Sequence, residues 1–195
     1  LLNYIMDLNP TETINKMRET FIKSCVSSCV LCYILGVGDR HTENILINKW
    51  GDLIHIDFSY LLGEDPKHVD VEMKITNDMV EALGGKQSAN FMRFKIICGK
   101  IYKKIRKRSG LWYILLSYLS FIEPPIYPYY NNSQLIKNYV IEKLIPGEFD
   151  EECSLQISNI VENSSNPSYM ETISDLSHKV SNRVKQFYDT MFTME

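Results

Sequence analysis

The sequence changes its hydrophobic period at Gly36, and this change restricts the fold more than any other feature. Upstream, Met17, Phe21, Cys25, Cys29 and Cys32 recur at three- and four-residue spacing, which places them on one face of a helix. Asn9-Pro10-Thr11-Glu12 reads as that helix's start, with a capping Asn, Pro at the first helical position and Glu at the third. Gly36 and Gly38 end the helix near Leu35 and open a loop. Beyond the loop, 45–48 and 53–56 read as strands joined by a turn through Gly51-Asp52. A glycine-bounded loop is therefore mounted on the end of a long helix and closed by a hairpin.

That loop carries the chemistry. It contains Asp39-Arg40-His41 and Asn44, and the hairpin delivers Asp57-Phe58 at its far end. Asp, Asn and His near Gly are common turn formers, so any one alone reads as structural. The ordered combination reads as phosphoryl transfer, which needs oxygen ligands for Mg²⁺ and a group that orients the attacking hydroxyl. Asn44 and Asp57 are hard oxygen donors at the two ends of a hairpin that folding would bring together. Asp39 and His41 are the candidates for handling the hydroxyl proton.

Gly38-Asp39-Arg40-His41-x-x-Asn44 followed by His55-Ile56-Asp57-Phe58 resembles the catalytic and metal-binding segments of phosphatidylinositol 3- and 4-kinases and their protein-kinase-like relatives. The runs 21–25, 33–39, 62–67, Met73-Lys74 and 79–85 are similar to the class III, vacuolar sorting type of phosphatidylinositol 3-kinase. The resemblance is strong over 21–87 and weak beyond. It implies the C-terminal lobe of a protein-kinase-like lipid kinase fold, mostly α with a small β-hairpin. Residues 36–44 form the catalytic loop, 57–59 the metal-binding segment, and 60–75 the activation segment. The cofactors implied are ATP and Mg²⁺ or Mn²⁺. Arg40 is expected to brace the catalytic loop rather than touch substrate.

Two departures accompany the resemblance. Ser59 stands where the family has Gly, which permits backbone angles that Ser reaches only at a cost. In the activation segment, the family's proline-rich middle is replaced by His68-Val69-Asp70-Val71-Glu72. Lys67 and Lys74 match family positions that approach the inositol headgroup, with an ordinary solvated loop as the plain alternative. Glu64, Asp65, Asp70 and Glu72 oppose them, and an acidic loop repels polyphosphorylated headgroups, which leaves phosphatidylinositol itself as the expected lipid.

The remaining chain reads as helices. Thr76 caps a short one that ends at Gly84-Gly85. A second covers 88–108, with Phe91, Phe94, Cys98, Ile101 and Ile105 on one face and a basic end that suits either the helix dipole or an anionic lipid surface. Residues 111–122 predict a buried helix, 123–132 a stiff loop, and 133–145 an amphipathic helix stopped by Pro146-Gly147. Asp150 is expected to cap the next helix. The last helix, 168–192, has an apolar stripe and gathers Phe187, Tyr188, Met191 and Phe192 at its end. Such a stripe suits core packing, whereas the resemblance implies that these four residues contact the bilayer.

Composition bounds the partners. A net charge of -3 over 195 residues implies no general affinity for nucleic acid. No run is apolar enough to span a bilayer, and no secretory leader is visible. Five cysteines without such a leader argue for reduced thiols. Cys25, Cys29 and Cys32 also permit a zinc site, although helix spacing suits small packing residues as well. The chain begins with Leu and has nothing before Thr11 that resembles a phosphate-covering loop or phosphate-binding lysine. It is therefore expected to be one lobe, completed by an upstream N-lobe.

The expected activity is ATP-dependent phosphorylation of the inositol 3-hydroxyl of phosphatidylinositol in membranes. The implied location is cytoplasmic and peripheral on endomembranes, with regulatory subunits as possible partners. A related Ser/Thr protein kinase and a non-catalytic pseudokinase scaffold are the alternatives. Asp65-Pro66-Lys67 and Met73-Lys74 oppose the first, and the intact Asp39, His41, Asn44 and Asp57 oppose the second.

Overall fold

The computed structural model describes residues 2–65, 72–118, 132–145 and 149–166. Among them the protein is mostly helical, with one two-stranded antiparallel sheet. The order is α1 (Leu2–Leu8), α2 (Ile14–Leu35), a 3-10 turn at Thr42–Asn44, β1 (Ile45–Ile47), β2 (Leu53–His55), α3 (Asn77–Ala82), α4 (Ala89–Arg106), α5 (Ser109–Ser117), α6 (Ser133–Leu144) and α7 (Asp150–Ser164).

Helix α2 is the axis of the core. The predicted stripe of Met17, Phe21, Cys25, Cys29 and Cys32 is buried, but so are Ile22, Val26, Val30, Tyr33 and Ile34. Helices α1, α4 and α6 and strand β2 all pack against it, which explains burial on more than one face. Its start differs from the expectation. Thr13, not Asn9, is the N-cap, and its hydroxyl accepts from Lys16 N at 3.3 Å. Asn9 instead follows α1, where its side-chain amide donates to the Ile5 carbonyl at 2.8 Å and to the Lys49 carbonyl. The C-terminus follows the sequence: Gly36 takes φ 54°, a left-handed cap that a side chain would resist.

Helix α4 starts at Ser88, whose hydroxyl accepts from Phe91 N. Phe91, Phe94 and Cys98 lie in the core, Ile101 and Ile105 pack at its edge, and Tyr102 joins them with its hydroxyl on the Lys143 carbonyl at 2.7 Å. Half of the basic residues over 100–108 are engaged within the fold. Lys103, Arg106 and Lys107 all reach the Asp150 carboxylate, at 2.9, 3.3 and 3.2 Å. Asp150 is therefore a clamp between α4 and α7 rather than a cap. Phe149 holds the N-cap position of α7 and makes no side-chain cap bond.

The predicted buried helix at 111–122 also differs. Helix α5 covers Ser109–Ser117, and Leu111, Ile114 and Leu115 are about half exposed. With only about two turns resting against α6, one face turns inward, led by Leu116, with Trp112 and Tyr113 at the core's edge. Among the described residues no helix is long and apolar enough to cross a membrane. The helix expected over 168–192, the stiff loop expected over 123–132 except its last residue, and residues 66–71 lie outside the described residues.

Candidate active site

The hairpin decides which residues meet. Its register pairs Ile45 with His55, Leu46 with Ile54 and Ile47 with Leu53. The turn is held by Asn48, whose Oδ1 accepts from the backbone N–H of Trp50 and Asp52, while Gly51 takes φ 91°. Continued past β1 and β2, the same register brings Ile56 N to the Asn44 carbonyl at 3.0 Å. Asn44 therefore faces Ile56 across the open end of the hairpin, and Asp57 is the next residue along the chain.

Asn44 is buried, and its Nδ2 donates to the Asp39 carbonyl at 2.9 Å. That bond fixes the amide and leaves its oxygen as the donor atom for a cation. His41 is placed on the same turn, with Nε2 3.7 Å from Asp39 Oδ2 and Nδ1 3.9 Å from Glu43 Oε2. Asp39 and Asp57 share a backbone feature that sequence spacing does not reveal: both are left-handed, at φ 50° and 59°. Asp and Asn tolerate this region better than most side chains, and such outliers concentrate at functional sites.

Arg40 ties the two halves of the site together. Its Nε donates to the Gly38 carbonyl at 2.8 Å and Nη1 to the Ile56 carbonyl at 2.7 Å, while Nη2 reaches the Asp57 carbonyl. The guanidinium also lies 5.8 Å from the Phe58 ring centroid. A planar fork of donors is suited to gathering carbonyls from two segments. The contacts are those of a brace.

Asp57 is exposed, yet its carboxyl is held below the usual carboxylate range. The first cause is the Ser59 hydroxyl, which donates to Oδ1 at 2.5 Å; the Ser59 backbone N–H donates to the same oxygen at 3.0 Å. The charges of Arg40 and His41 act in the same direction. An ionised carboxylate and an oriented amide oxygen are both donors suited to a hard divalent cation. Among the described residues, no group of three or more His, Cys, Asp and Glu side chains is placed to hold a metal ion. Cys25, Cys29 and Cys32 are buried free thiols; the Cys29 contact and burial push the Cys25 thiol well up, and burial pushes that of Cys32 up to about 12.

The start of the 60–65 segment is bonded along the 36–44 loop. Gly38 N donates to the Tyr60 carbonyl at 3.0 Å, Leu62 N to Leu35 at 2.7 Å, and Gly63 N to Gly36 at 2.9 Å. Asp65 Oδ2 accepts from Asp39 N at 2.9 Å. Two of the four acids that the sequence sets against the lysines are thus engaged with the body of the protein: Asp65 here, and Glu72 3.9 Å from Lys143. Lys74 is half-buried between the buried Met73 and Ile75. Lys67, Phe187, Tyr188, Met191 and Phe192 lie outside the described residues.

His55 lies beneath the site, buried, with Nδ1 3.5 Å from Cys32 Sγ. Burial, and then the charge of Arg40, lower its pKa from 6.5 to about 4. The unfolded chain binds a proton on this ring near pH 6.5, whereas the folded chain refuses it until about pH 4. Stability should therefore fall as pH drops through that window, by at most about 3 kcal/mol. Denaturant unfolding of the native polypeptide between pH 7 and 4 should show this slope, and His55→Gln should flatten it. An unchanged slope in the variant would mean that His55 is not held neutral.

Residues 1–128 match the family described as phosphatidylinositol 3- and 4-kinase. The chain is 50% identical over 93 residues, 48% of its length, to the root isoform of phosphatidylinositol 3-kinase from Glycine max. It is 44% identical over 93 residues, again 48% of its length, to phosphatidylinositol 3-kinase VPS34 of Saccharomyces cerevisiae. Against phosphatidylinositol 3-kinase VPS34 of Candida albicans it is 32% identical over 164 residues, 84% of its length. The matched stretches make up 11%, 11% and 16% of these relatives, so the chain spans a small part of each. With more than half of its residues matched, this chain belongs to the phosphatidylinositol 3- and 4-kinase family.

Proposed function

We propose that this chain is the C-terminal lobe of a lipid kinase that transfers the γ-phosphoryl group of ATP to the inositol 3-hydroxyl of phosphatidylinositol. The observation that supports the reading is the Ile56 N to Asn44 carbonyl bond, which holds the segment entering Asp57 against Asn44, with Asp39 and His41 on the adjoining turn. The relatives' names supply the lipid and the 3-position.

In this reading Asn44 and Asp57 hold Mg²⁺ or Mn²⁺, which when bound neutralises charge on the transferring phosphoryl group. Asp39 and His41 orient the lipid hydroxyl and receive its proton. Arg40 keeps the loop and the Asp57 backbone at a fixed separation. Lys74 and Lys67 approach the headgroup, and Phe187, Tyr188, Met191 and Phe192 contact the bilayer on the cytoplasmic side of endomembranes. An N-lobe elsewhere in the protein supplies the adenine pocket and the phosphate lysine, and regulatory subunits are further partners.

The test is labelled-phosphate transfer from ATP by the native polypeptide, offered phosphatidylinositol vesicles beside a Ser/Thr peptide panel. Transfer to the lipid, with the product substituted at the 3-position, is expected. Transfer to peptides alone would replace the reading with a protein kinase, and transfer to neither would leave a scaffold.

A further inference from the structure

Ser59 replaces the family's glycine immediately beyond the Asp-Phe pair, and its position is chemically specific. A carboxylate oxygen has two lone-pair sites. At Asp57 Oδ1 both are engaged, one by the Ser59 backbone N–H at 3.0 Å and one by the Ser59 hydroxyl at 2.5 Å. The Asp57 backbone is held as well, by its left-handed φ of 59° and by Arg40 on its carbonyl. With the backbone fixed and Oδ1 filled, Oδ2 is the oxygen that a cation meets.

From this geometry we propose that Ser59 is a positioning residue that restricts Asp57 to one-oxygen coordination and so selects small octahedral cations over Ca²⁺. The inference rests on the reading of Asp57 as a metal ligand. Mg²⁺ keeps near-octahedral geometry and takes carboxylates one oxygen at a time, whereas Ca²⁺ accepts six to eight oxygens and commonly grips a carboxylate through both. A glycine at position 59 would leave only the backbone N–H on Oδ1. One lone pair would open, the carboxylate would turn, and two-oxygen binding of Ca²⁺ would become available. The hydroxyl thus excludes the larger ion without contacting it.

The experiment uses the native polypeptide with a non-hydrolysable ATP analogue and Mn²⁺ as probe, read by the relaxation of solvent water protons around the bound ion. Ca²⁺ and Mg²⁺ are titrated in as competitors, and the readout is the ratio of their half-displacing concentrations. In S59A and S59G this ratio should shift toward Ca²⁺ by about tenfold, the size of one hydrogen bond to a charged group. S59T, which restores a hydroxyl, should keep the wild-type ratio. A shift in S59G but not S59A would assign the effect to backbone freedom and overturn the proposal. An unchanged ratio in both variants would overturn it too, as would an S59T ratio equal to that of S59A. D57N separates the two readings: loss of the protein-bound Mn²⁺ signal keeps Asp57 as a ligand whatever Ser59 does. Retention of that signal removes both.

Discussion

Asp57→Asn should reduce phosphate transfer at least a thousandfold, because a metal-held carboxylate is asked for several kcal/mol of charge stabilisation on the transferring group. The substitution is well matched to the structure. Asn tolerates the left-handed φ of 59° at this position nearly as well as Asp. Its amide oxygen can still accept from Ser59 N and the Ser59 hydroxyl, and the Arg40 bond goes to a backbone carbonyl that the change leaves in place. What disappears is the charge. The loss should therefore fall on kcat, with little change in KM for phosphatidylinositol and an unaltered melting temperature. A variant within tenfold of wild type would show that Asp57 is not the anionic ligand.

Gly38→Ala is expected to be nearly as damaging for a different reason. A Cβ at Gly38 would stand 2.0 Å from the Glu64 carbonyl oxygen and 3.1 Å from Asp65 Cα. Both are backbone atoms, so no side chain can swing aside. The 60–65 segment must move off the catalytic loop, taking with it the Gly38 N to Tyr60 bond and the Asp65 carboxylate that holds Asp39 N. Misplacement of reacting groups by about 1 Å costs on the order of a hundredfold in rate, and a loss of that size or greater is expected. The contact lies beyond the C-terminal end of α2, so helical content should persist. Gly110→Ala, where an added Cβ meets nothing within 4 Å, is the matched control and should leave activity unchanged. Wild-type transfer by Gly38→Ala would mean that the two segments are not packed as described.

These two residues also show which parts of the site a sequence displays. The placement of the Asp57 segment is legible because a hairpin is a local object: Gly51 and the alternating strands fix its register, and the register sets Ile56 opposite Asn44. The end of α2 was legible for the same reason, since glycine at a helix C-terminus is a nearest-neighbour signal. The crowding at Gly38 was not, because its contact is with Glu64 and depends on how a later segment lies down. Arg40 was expected to brace, but the three carbonyls that it gathers come from two segments, and only the folded chain specifies them.

The misreadings have physical causes too. Asn9-Pro10 and Thr13 both carry helix-start chemistry. Thr13 serves because α1 ends where Asn9 stands and uses its amide on the Ile5 carbonyl. Asp150 has the composition of a cap, but three cations from α4 converge on it. Charge attraction across a helix pair outweighs one local backbone bond there. Helix α5 is apolar nearly all round, a pattern that ordinarily means burial, yet Leu111, Ile114 and Leu115 stay about half exposed. A hydrophobic run states a preference for burial, and the neighbours decide how much of it is met.

The Tyr139 hydroxyl donates to the Ile34 carbonyl at 2.9 Å, across 105 residues of sequence. The same oxygen stands 2.5 Å from where a Cβ on Gly36 would lie. The base of the catalytic loop is thus finished by a residue of α6, a contact that cannot form until the intervening chain exists. During synthesis, the segment holding Asp39, His41 and Asn44 leaves the ribosome long before Tyr139 does. Because non-local contacts are made late and at an entropic cost, a nascent chain stays without a completed loop until α6 has been translated and has docked. Docking of Tyr139 against the base of this loop is therefore timed by translation of α6.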